Sequence, residues 1–185
     1  MTSGQDRFVA DRVVPILLLT GPPGVGKTTI AGEVSRILQE ARLAHAEVDL
    51  DALSWCYPAD PDDPHRTGLA LRNLAAVWAT FRAAGATRLV LARAIEARAD
   101  AARIGAVIPG GQVTVVRLRA TPEVLAARVR RREVGSGLER QLRRAMELAD
   151  AMELAGLEDH IVETTGRSLA EVANDVLRVS GWIGG

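Results

Sequence analysis

One stretch constrains this chain more than any other. Residues 20–29 have the sequence Thr-Gly-Pro-Pro-Gly-Val-Gly-Lys-Thr-Thr and fill the pattern G-x-x-x-x-G-K-[ST]. An apolar run at residues 13–19 precedes the pattern, and helical spacing of apolar residues follows it. The predicted unit is therefore a strand, a glycine-rich loop and a helix. In such a loop the main-chain N–H groups point inward, and the positive end of the helix dipole adds to their attraction for phosphate.

These loop residues predict a site for a nucleoside triphosphate. Lys27 is expected to reach the β- and γ-phosphates, and the Thr28 hydroxyl is expected to bind Mg²⁺. Lys27 is the single lysine among 23 basic residues, so the compact ammonium group occurs only where phosphate oxygens would surround it. The residues expected to contact the nucleotide are Gly21, Pro22, Pro23, Gly24, Val25, Gly26, Lys27, Thr28 and Thr29.

The composition excludes several classes of protein. The 185 residues suit one domain, 1–185, and the formal net charge of zero gives no reason to expect a nucleic-acid or membrane partner. Cys56 is the single cysteine, so no internal disulfide can form, and no apolar run approaches the ~20 residues that span a bilayer. Because the chain starts without a basic and then apolar leader, we expect a cytoplasmic protein, either a monomer or a homodimer.

Short apolar runs alternate with helical patterns along the chain. This alternation predicts an α/β fold with a five-stranded parallel sheet that helices cover on both faces. Ligands of such sheets lie at the carboxyl ends of the strands. The strands are predicted at residues 13–19, 44–48, 88–92, 113–118 and 160–163, and the helices at 27–43, 67–84, 96–104, from 121, at 138–154 and at 169–177.

Two aspartates end the second predicted strand, at this edge. Asp49 and Asp51 are two residues apart, so their side chains point the same way in an extended chain. Transfer of a γ-phosphoryl group needs Mg²⁺ and a carboxylate that orients or deprotonates the attacking hydroxyl, and two aspartates can divide these tasks. The alternative is that one of them only caps the next helix. Residues 52–66 contain three prolines and are predicted to form a loop.

Several stretches together resemble the small P-loop kinases, a group that includes shikimate kinase, gluconate kinase, adenylyl-sulfate kinase and chloramphenicol phosphotransferase. They are the phosphate loop, the two aspartates, residues 121–132 and residues 163–168. The resemblance implies a three-layer P-loop NTPase fold with a small helical lid at about 130–147, and it implies ATP and Mg²⁺ as cofactors.

The same resemblance implies roles for individual residues. Arg128 would pack on the adenine, Arg167 would border it, and Arg132 would belong to the lid and neutralise the transferring phosphoryl group. In one alignment Asp49 would lie near Mg²⁺ and Asp51 would contact the substrate hydroxyl. In the pattern of the chloramphenicol enzyme, a single aspartate at the position of Asp49 would deprotonate that hydroxyl. We favour Asp49 as the base. The expected catalytic residues are Lys27, Asp49, Asp51 and Arg132, and the expected metal ligands are Thr28 and Asp49.

The acceptor is expected to meet residues that follow the second and third strands. Arg93 resembles a substrate-binding position in gluconate and adenylyl-sulfate kinases, and the alternative is a surface arginine at a helix start. Trp55 and Tyr57 lie in the irregular loop after the aspartates, where they can stack on a ring or a sugar. We therefore predict Asp51, Trp55, Tyr57 and Arg93 as substrate-binding residues.

The expected activity is ATP- and Mg²⁺-dependent transfer of the γ-phosphoryl group to a hydroxyl of a small molecule. The alternative is a nucleotide-binding switch or an ATPase module that hydrolyses ATP without such an acceptor. The third strand ends Leu91-Ala92-Arg93, without the acidic residue typical of motor ATPases. A chain with one lysine, in the phosphate loop, also lacks the Asn-Lys-x-Asp motif of GTPases.

Overall fold

A parallel sheet of five strands forms the centre of the protein. The computed structural model describes residues 13–58, 60–132 and 137–183. The strand order is β2-β3-β1-β4-β5, and each neighbouring pair is parallel, which confirms the predicted sheet. The strands are β1 (Val14–Thr20), β2 (Ala46–Asp49), β3 (Leu89–Ala92), β4 (Gly111–Arg119) and β5 (His160–Glu163).

Six helices lie among the described residues, on both faces of the sheet. Side chains of β1 alternate between the faces: Ile16 and Leu18 contact the layer of α2 and α3, whereas Leu17 and Leu19 contact the layer that contains α1 and α6. Burial on both faces explains why β1 is an almost continuous apolar run. The helices are α1 (Lys27–Glu40), α2 (Thr67–Ala83), α3 (Arg98–Ala106), α4 (Pro122–Arg132), α5 (Leu138–Ala155) and α6 (Leu169–Val179).

Some element boundaries differ from the prediction. The third helix begins at Arg98 instead of residue 96, because the Asp100 carboxylate accepts hydrogen bonds from the main-chain N–H groups of Glu96 (3.4 Å) and Ala97 (3.2 Å) and holds both outside the helix. A short 3₁₀ turn, Ala52–Ser54, begins the stretch predicted as a loop throughout. Residues 133–136 of the predicted lid, and the polar start of the chain, lie outside the described residues.

The topology brings the loops that follow all five strands to one edge of the sheet. The loop after β1 lies in the middle of this edge, because β3 and β4 flank β1. The loops after β2 and β3 therefore lie on one side of it, and those after β4 and β5 lie on the other. No helix in the described part of the chain is long and apolar enough to cross a membrane.

Candidate active site

The loop between β1 and α1 has the backbone of a phosphate-binding loop. Gly24 and Gly26 have φ angles of +82° and +105°, in the left-handed region that glycine adopts without strain. A Cβ atom on Gly24 would lie 2.8 Å from Cγ2 of Val129, so α4 packs directly against the loop. The α1 helix starts at Lys27 and contains no acidic residue in its first turn, so its N-terminal N–H groups face the loop without a competing carboxylate.

The Lys27 side chain turns back over this loop. Its ammonium donates hydrogen bonds to the main-chain oxygens of Gly21 (2.9 Å) and Pro22 (3.3 Å). Burial lowers the pKa of Lys27 below its ordinary value, while Asp51 and Asp49 oppose this shift and Arg132 adds to it. An anion in the loop would replace the two carbonyl contacts and favour the charged form of Lys27.

Asp49 ends β2 beside the loop, and its carboxylate has two local partners. Oδ2 accepts a hydrogen bond from the Thr28 hydroxyl (2.9 Å), and Oδ1 accepts one from the main-chain N–H of Asp51 (3.0 Å). The residues therefore fit Mg²⁺, which prefers oxygen ligands and often takes one or two from the protein and the others from phosphates and water. Within the described ranges no group of three or more His, Cys, Asp or Glu side chains could hold a metal ion, so Thr28 and Asp49 would bind Mg²⁺ together with the phosphates.

Asp51 lies in a different environment from Asp49. In the part of the chain that the structure describes, its carboxylate makes no hydrogen bond to another side chain. Partial burial raises the pKa of Asp51, and Asp49 adds to this shift, whereas Arg93 and Lys27 oppose it. Both aspartates act on the charge of Lys27, but they do not share an extended strand as the spacing predicted, because β2 ends at Asp49 and Asp51 lies in the turn that follows. The two are therefore not equivalent. Asp49 is held by neighbouring groups, and the Asp51 carboxylate is available to a ligand.

A cleft of about 1330 Å³ opens at this edge of the sheet. A smaller cavity of about 710 Å³ at the opposite edge, between α3 and β4, is lined by none of the predicted site residues. Gly21 and Pro22 lie buried beneath the loop, and Tyr57, which is 94% exposed, does not line the cleft. The predicted residues that line the cleft are Pro23, Gly24, Val25, Gly26, Lys27, Thr28, Thr29, Asp49, Asp51, Trp55, Arg93, Arg128, Arg132 and Arg167.

On the β4 and β5 side of the loop, two arginines are fixed by protein groups. Arg128 donates hydrogen bonds to the main-chain oxygen of Val25 (3.0 Å) and to the Thr164 hydroxyl (2.9 Å), so it ties the phosphate loop to the turn after β5. Arg167 forms an ion pair with Asp175 (2.7 Å). Both side chains line the cleft and are held in place there before any ligand binds. We call this side the nucleotide half.

On the β2 and β3 side, the cleft continues beyond the phosphate loop. Arg93 follows β3 and donates a hydrogen bond from Nη2 to the Thr67 hydroxyl (3.3 Å) at the start of α2. Trp55 lies at the rim and is 85% exposed. We call this side the acceptor half.

The sequence analysis missed several residues that line the cleft. On α3 and α5 they recur at helical spacing, but an exposed helix face has the same pattern, so the sequence offered no signal that would select them. They include His65, Thr67, Leu71, Glu96, Asp100, Arg103, Ile104, Gln141, Arg144, Leu148, Thr164, Leu169 and Val172.

The parallel sheet, the glycine-rich loop and the Lys27-Thr28-Asp49 cluster define a P-loop nucleotide-binding protein. The sequence profile of the AAA domain family matches residues 17–150, and the chain belongs to this family. No curated protein matched the chain.

Solved structures of several kinases share the fold. A gluconokinase from Sinorhizobium meliloti superposes with a TM-score of 0.61 at 19% identity, covering 93% of this chain and 94% of that one. An APS kinase from Mycobacterium tuberculosis, solved with AMPPNP and APS, superposes with a TM-score of 0.55 at 22% identity, covering 91% of this chain and 98% of that one. A tunicamycin resistance protein from Deinococcus radiodurans superposes with a TM-score of 0.55 at 21% identity, covering 89% of this chain and 94% of that one. The resemblance to small P-loop kinases is therefore confirmed for the fold.

Proposed function

We propose that this protein transfers the γ-phosphoryl group of ATP to a hydroxyl of a small molecule, with Mg²⁺ as cofactor. One observation supports this function more than any other. The cleft does not end at the phosphate loop but continues into the acceptor half, where the Asp51 carboxylate is unengaged. A switch or a simple ATPase needs only water beside the γ-phosphate, whereas a kinase needs room for a second substrate and a carboxylate that meets its hydroxyl.

The residues around the loop divide the work. Main-chain N–H groups of the loop and of the first turn of α1 bind the phosphate oxygens, and Lys27 and Arg132 neutralise the charge on the γ-phosphoryl group. Thr28 and Asp49 would hold Mg²⁺ between them. When bound there, Mg²⁺ neutralises charge on the β- and γ-phosphate oxygens.

Asp51 acts on the acceptor. Its carboxylate accepts the proton of the acceptor hydroxyl as the oxygen bonds to the γ-phosphorus, the bond from that phosphorus to the β–γ bridging oxygen breaks, and ADP leaves. We favour Asp51 over Asp49 for this role, in contrast to the assignment from sequence, because Asp49 already engages Thr28 and the Asp51 main chain. A raised pKa suits Asp51 for proton transfer, since it brings the group nearer to neutral pH.

The nucleotide half is suited to the base of ATP. Arg128 and Arg167 are fixed by hydrogen bonds and present guanidinium groups that can pack on an adenine ring, and Leu169 and Val172 of α6 add apolar surface. The kinase structures that share the fold support the assignment. The family match to AAA domains supports nucleotide binding and leaves the reaction open.

The test is to incubate the protein with Mg²⁺ and ATP, add a panel of hydroxyl compounds and follow ADP release. We expect at least one acceptor to stimulate ADP release and to become phosphorylated. Asp51→Asn should then lower kcat about 10²–10⁴-fold, as expected for loss of a general base. Asp150→Asn, a change at an exposed carboxylate of α5 outside the cleft, is the matched control and should leave kcat unchanged.

Two further variants separate the roles of the neighbouring residues. Lys27→Ala should abolish transfer, because no other cationic group lies inside the loop among the described residues. Asp49→Asn should raise the Mg²⁺ concentration needed for half-maximal activity, whereas Asp51→Asn should not. ADP release that no acceptor stimulates would instead support the switch or ATPase alternative.

A further inference from the structure

One side chain of α4 reaches the backbone of the phosphate loop. Nη1 of Arg128 donates a hydrogen bond to the main-chain oxygen of Val25 (3.0 Å). Val25 lies between Gly24 and Gly26, two glycines with left-handed φ angles. The sequence motif of the loop does not require this contact, because Arg128 lies 103 residues further along the chain. The contact is a feature of the tertiary structure and needs an explanation of its own.

This hydrogen bond fixes the direction of one peptide group. The Val25 oxygen and the Gly26 N–H belong to the same trans peptide, in which they point in opposite directions. Because Arg128 holds the oxygen, the Gly26 N–H points away from the guanidinium group. Among the described residues this N–H donates to no main-chain oxygen. It is therefore available to a phosphate oxygen, and Gly26 lines the cleft.

The peptide groups on either side are held differently, by the main chain itself. The Val25 N–H donates to the Pro22 oxygen (3.3 Å), and the Gly26 oxygen accepts from the Ile30 N–H (2.8 Å). In the described parts of the chain, the peptide group between them makes one hydrogen bond, the one with Arg128. Arg128 therefore supplies from α4 a restraint that the main chain does not provide.

Without this restraint the peptide group could turn over. Such a rotation changes the φ angle of the following residue, and glycine accepts φ angles of either sign. A Cβ atom on Gly26 would have no atom within 4 Å, so packing does not hold this residue either. A reversed peptide group would direct the Val25 oxygen, in place of the Gly26 N–H, at the phosphates, and an acceptor there would repel them.

Thr164, in the turn after β5, holds the guanidinium group in turn. Its hydroxyl accepts a hydrogen bond from Nη1 of Arg128 (2.9 Å), and its main-chain oxygen accepts one from Nη2 (3.3 Å). Thr164 is 3% exposed, and its N–H donates to the Arg119 oxygen (2.8 Å) at the end of β4. Both hydrogens of Nη1 are thus used, one on Val25 and one on the Thr164 hydroxyl. Loss of this hydroxyl would leave one of them without an acceptor and would loosen the guanidinium group.

We propose that Arg128 and Thr164 are positioning residues for the phosphate loop. Thr164 sets the Arg128 guanidinium group, and Arg128 keeps the peptide group between Val25 and Gly26 turned with its N–H toward the phosphates. This role is separate from packing of Arg128 on the base. It rests on the proposed function for the triphosphate alone and not for the acceptor. An anion that has no base should therefore bind less well when the Thr164 hydroxyl is removed, although Thr164 lies outside the loop.

The first experiment is a calorimetric titration with Mg²⁺ and inorganic tripolyphosphate, which has neither sugar nor base. Thr164→Val removes the hydroxyl, keeps the shape of the side chain and should weaken binding about 3- to 10-fold. Thr164→Ser keeps the hydroxyl and should bind within about twofold of the wild type. Thr87→Val is the matched control and should change nothing, because it removes a hydroxyl that donates to the Ala44 main-chain oxygen (2.9 Å) at the opposite edge of the sheet.

The second variant separates position from charge. Arg128→Lys keeps the positive charge but loses the planar fork that holds Val25 and Thr164 together, so tripolyphosphate should bind about 10- to 100-fold more weakly. The double variant of Arg128→Lys and Thr164→Val should bind no more weakly than Arg128→Lys alone, since Thr164 acts through Arg128. Losses that add in the double variant would show that Thr164 acts by another route and would contradict the proposal.

Comparison with ATP gives the decisive result. If Arg128 and Thr164 serve only the base, their variants weaken the binding of ATP and leave that of tripolyphosphate unchanged, which would overturn the proposal. No binding of tripolyphosphate to the wild type up to about 10 mM would also overturn it. If Thr164→Val does not fold, the half-buried Arg128 still provides the test through Arg128→Lys. The expected pattern without acceptor-stimulated turnover would uphold the positioning role and count against the kinase.

Discussion

Replacing Arg117 tests how the sheet holds α5, the helix that supplies Arg144 to the cleft. Arg117 lies on β4 with 4% of its side chain exposed, and its Nη2 atom is 3.0 Å from Oε1 of Glu158, whose side chain is 8% exposed. Its Nη1 atom binds Glu153 on α5 at 2.9 Å, but the Glu153 side chain is 56% exposed. The guanidinium thus has one buried partner and one that faces water.

The buried and the exposed partner are expected to contribute very different amounts to the free energy of unfolding. Arg117→Met leaves the Glu158 carboxylate buried without a counter-ion, and loss of one partner from a buried pair costs about 3–5 kcal/mol. Glu153→Gln weakens only exposed contacts, those of Glu153 with Arg117 and with Arg119 (3.5 Å), and should lower the free energy of unfolding by less than about 1 kcal/mol. Replacing both members of the buried pair, as in Arg117→Met with Glu158→Leu, should recover most of the loss, because the buried charge is then gone.

Urea unfolding followed by tryptophan fluorescence measures these values. Trp78 is buried in the core and reports the transition, whereas the exposed Trp55 contributes little change. The slope of the free energy of unfolding against urea concentration should be the same in all variants if each of them unfolds in a two-state transition. A cost below about 1 kcal/mol for Arg117→Met, or a double variant as unstable as the sum of the two single ones, would refute the assignment of the energy to a buried ion pair.

Three further predictions concern the site itself. Gly26→Ala should lower the free energy of unfolding by about 1–2 kcal/mol, because alanine is strained at the left-handed φ of this position. Gly24→Ala should lower it by roughly 2–4 kcal/mol, because the new Cβ would in addition overlap Val129. Urea unfolding of the two variants measures both values. Asp51→Asn should raise the melting temperature of the nucleotide-free protein at pH 7. The reason is that the Asp51 pKa is raised in the folded state, so the charged carboxylate destabilises the fold at any pH above that pKa. The gain in melting temperature should vanish below about pH 4, where the Asp51 carboxyl is protonated in the unfolded chain as well. Arg93→Gln should move the acidic limb of the pH profile of kcat/KM to higher pH, since Arg93 lowers the pKa of Asp51. An acidic limb that does not move would show that Arg93 does not influence the titration of Asp51.

Local signals predicted most of the fold. The α6 helix starts at residue 169 as predicted, and residues 168–171 form a capping box there, with the Ser168 N–H 2.8 Å from a Glu171 carboxylate oxygen and the Glu171 N–H 3.3 Å from the Ser168 hydroxyl. The strand His160–Glu163 has its predicted bounds, and α2 ends before Gly85, which has a φ angle of +102°. The capping box and the glycine turn depend on neighbouring residues only, so the local sequence contains the information that fixes them.

The division of labour between Asp49 and Asp51 could not be predicted in the same way. Both lie beside the loop, although Asp51 reaches it from a turn and not from the predicted strand. Their difference depends on Thr28, which is 21 residues from Asp49 in sequence, and on Arg93 at the end of another strand. The pair of Glu96 and Arg144 joins residues 48 apart across the cleft. Contacts of this kind follow from the order of the strands and helices in space, and no local pattern marks them.

The family match also stops short of the whole site. The matched residues, 17–150, contain the phosphate loop, the acceptor half and Arg128, but β5 and α6 come afterwards. Arg128 nevertheless depends on that later segment, because its guanidinium binds both the hydroxyl and the main-chain oxygen of Thr164 (2.9 and 3.3 Å). The nucleotide half is therefore built by contacts between the matched region and the last 35 residues of the chain. Since Arg128 also binds the Val25 carbonyl, a change at Thr164 is expected to reach the phosphate loop through a single side chain.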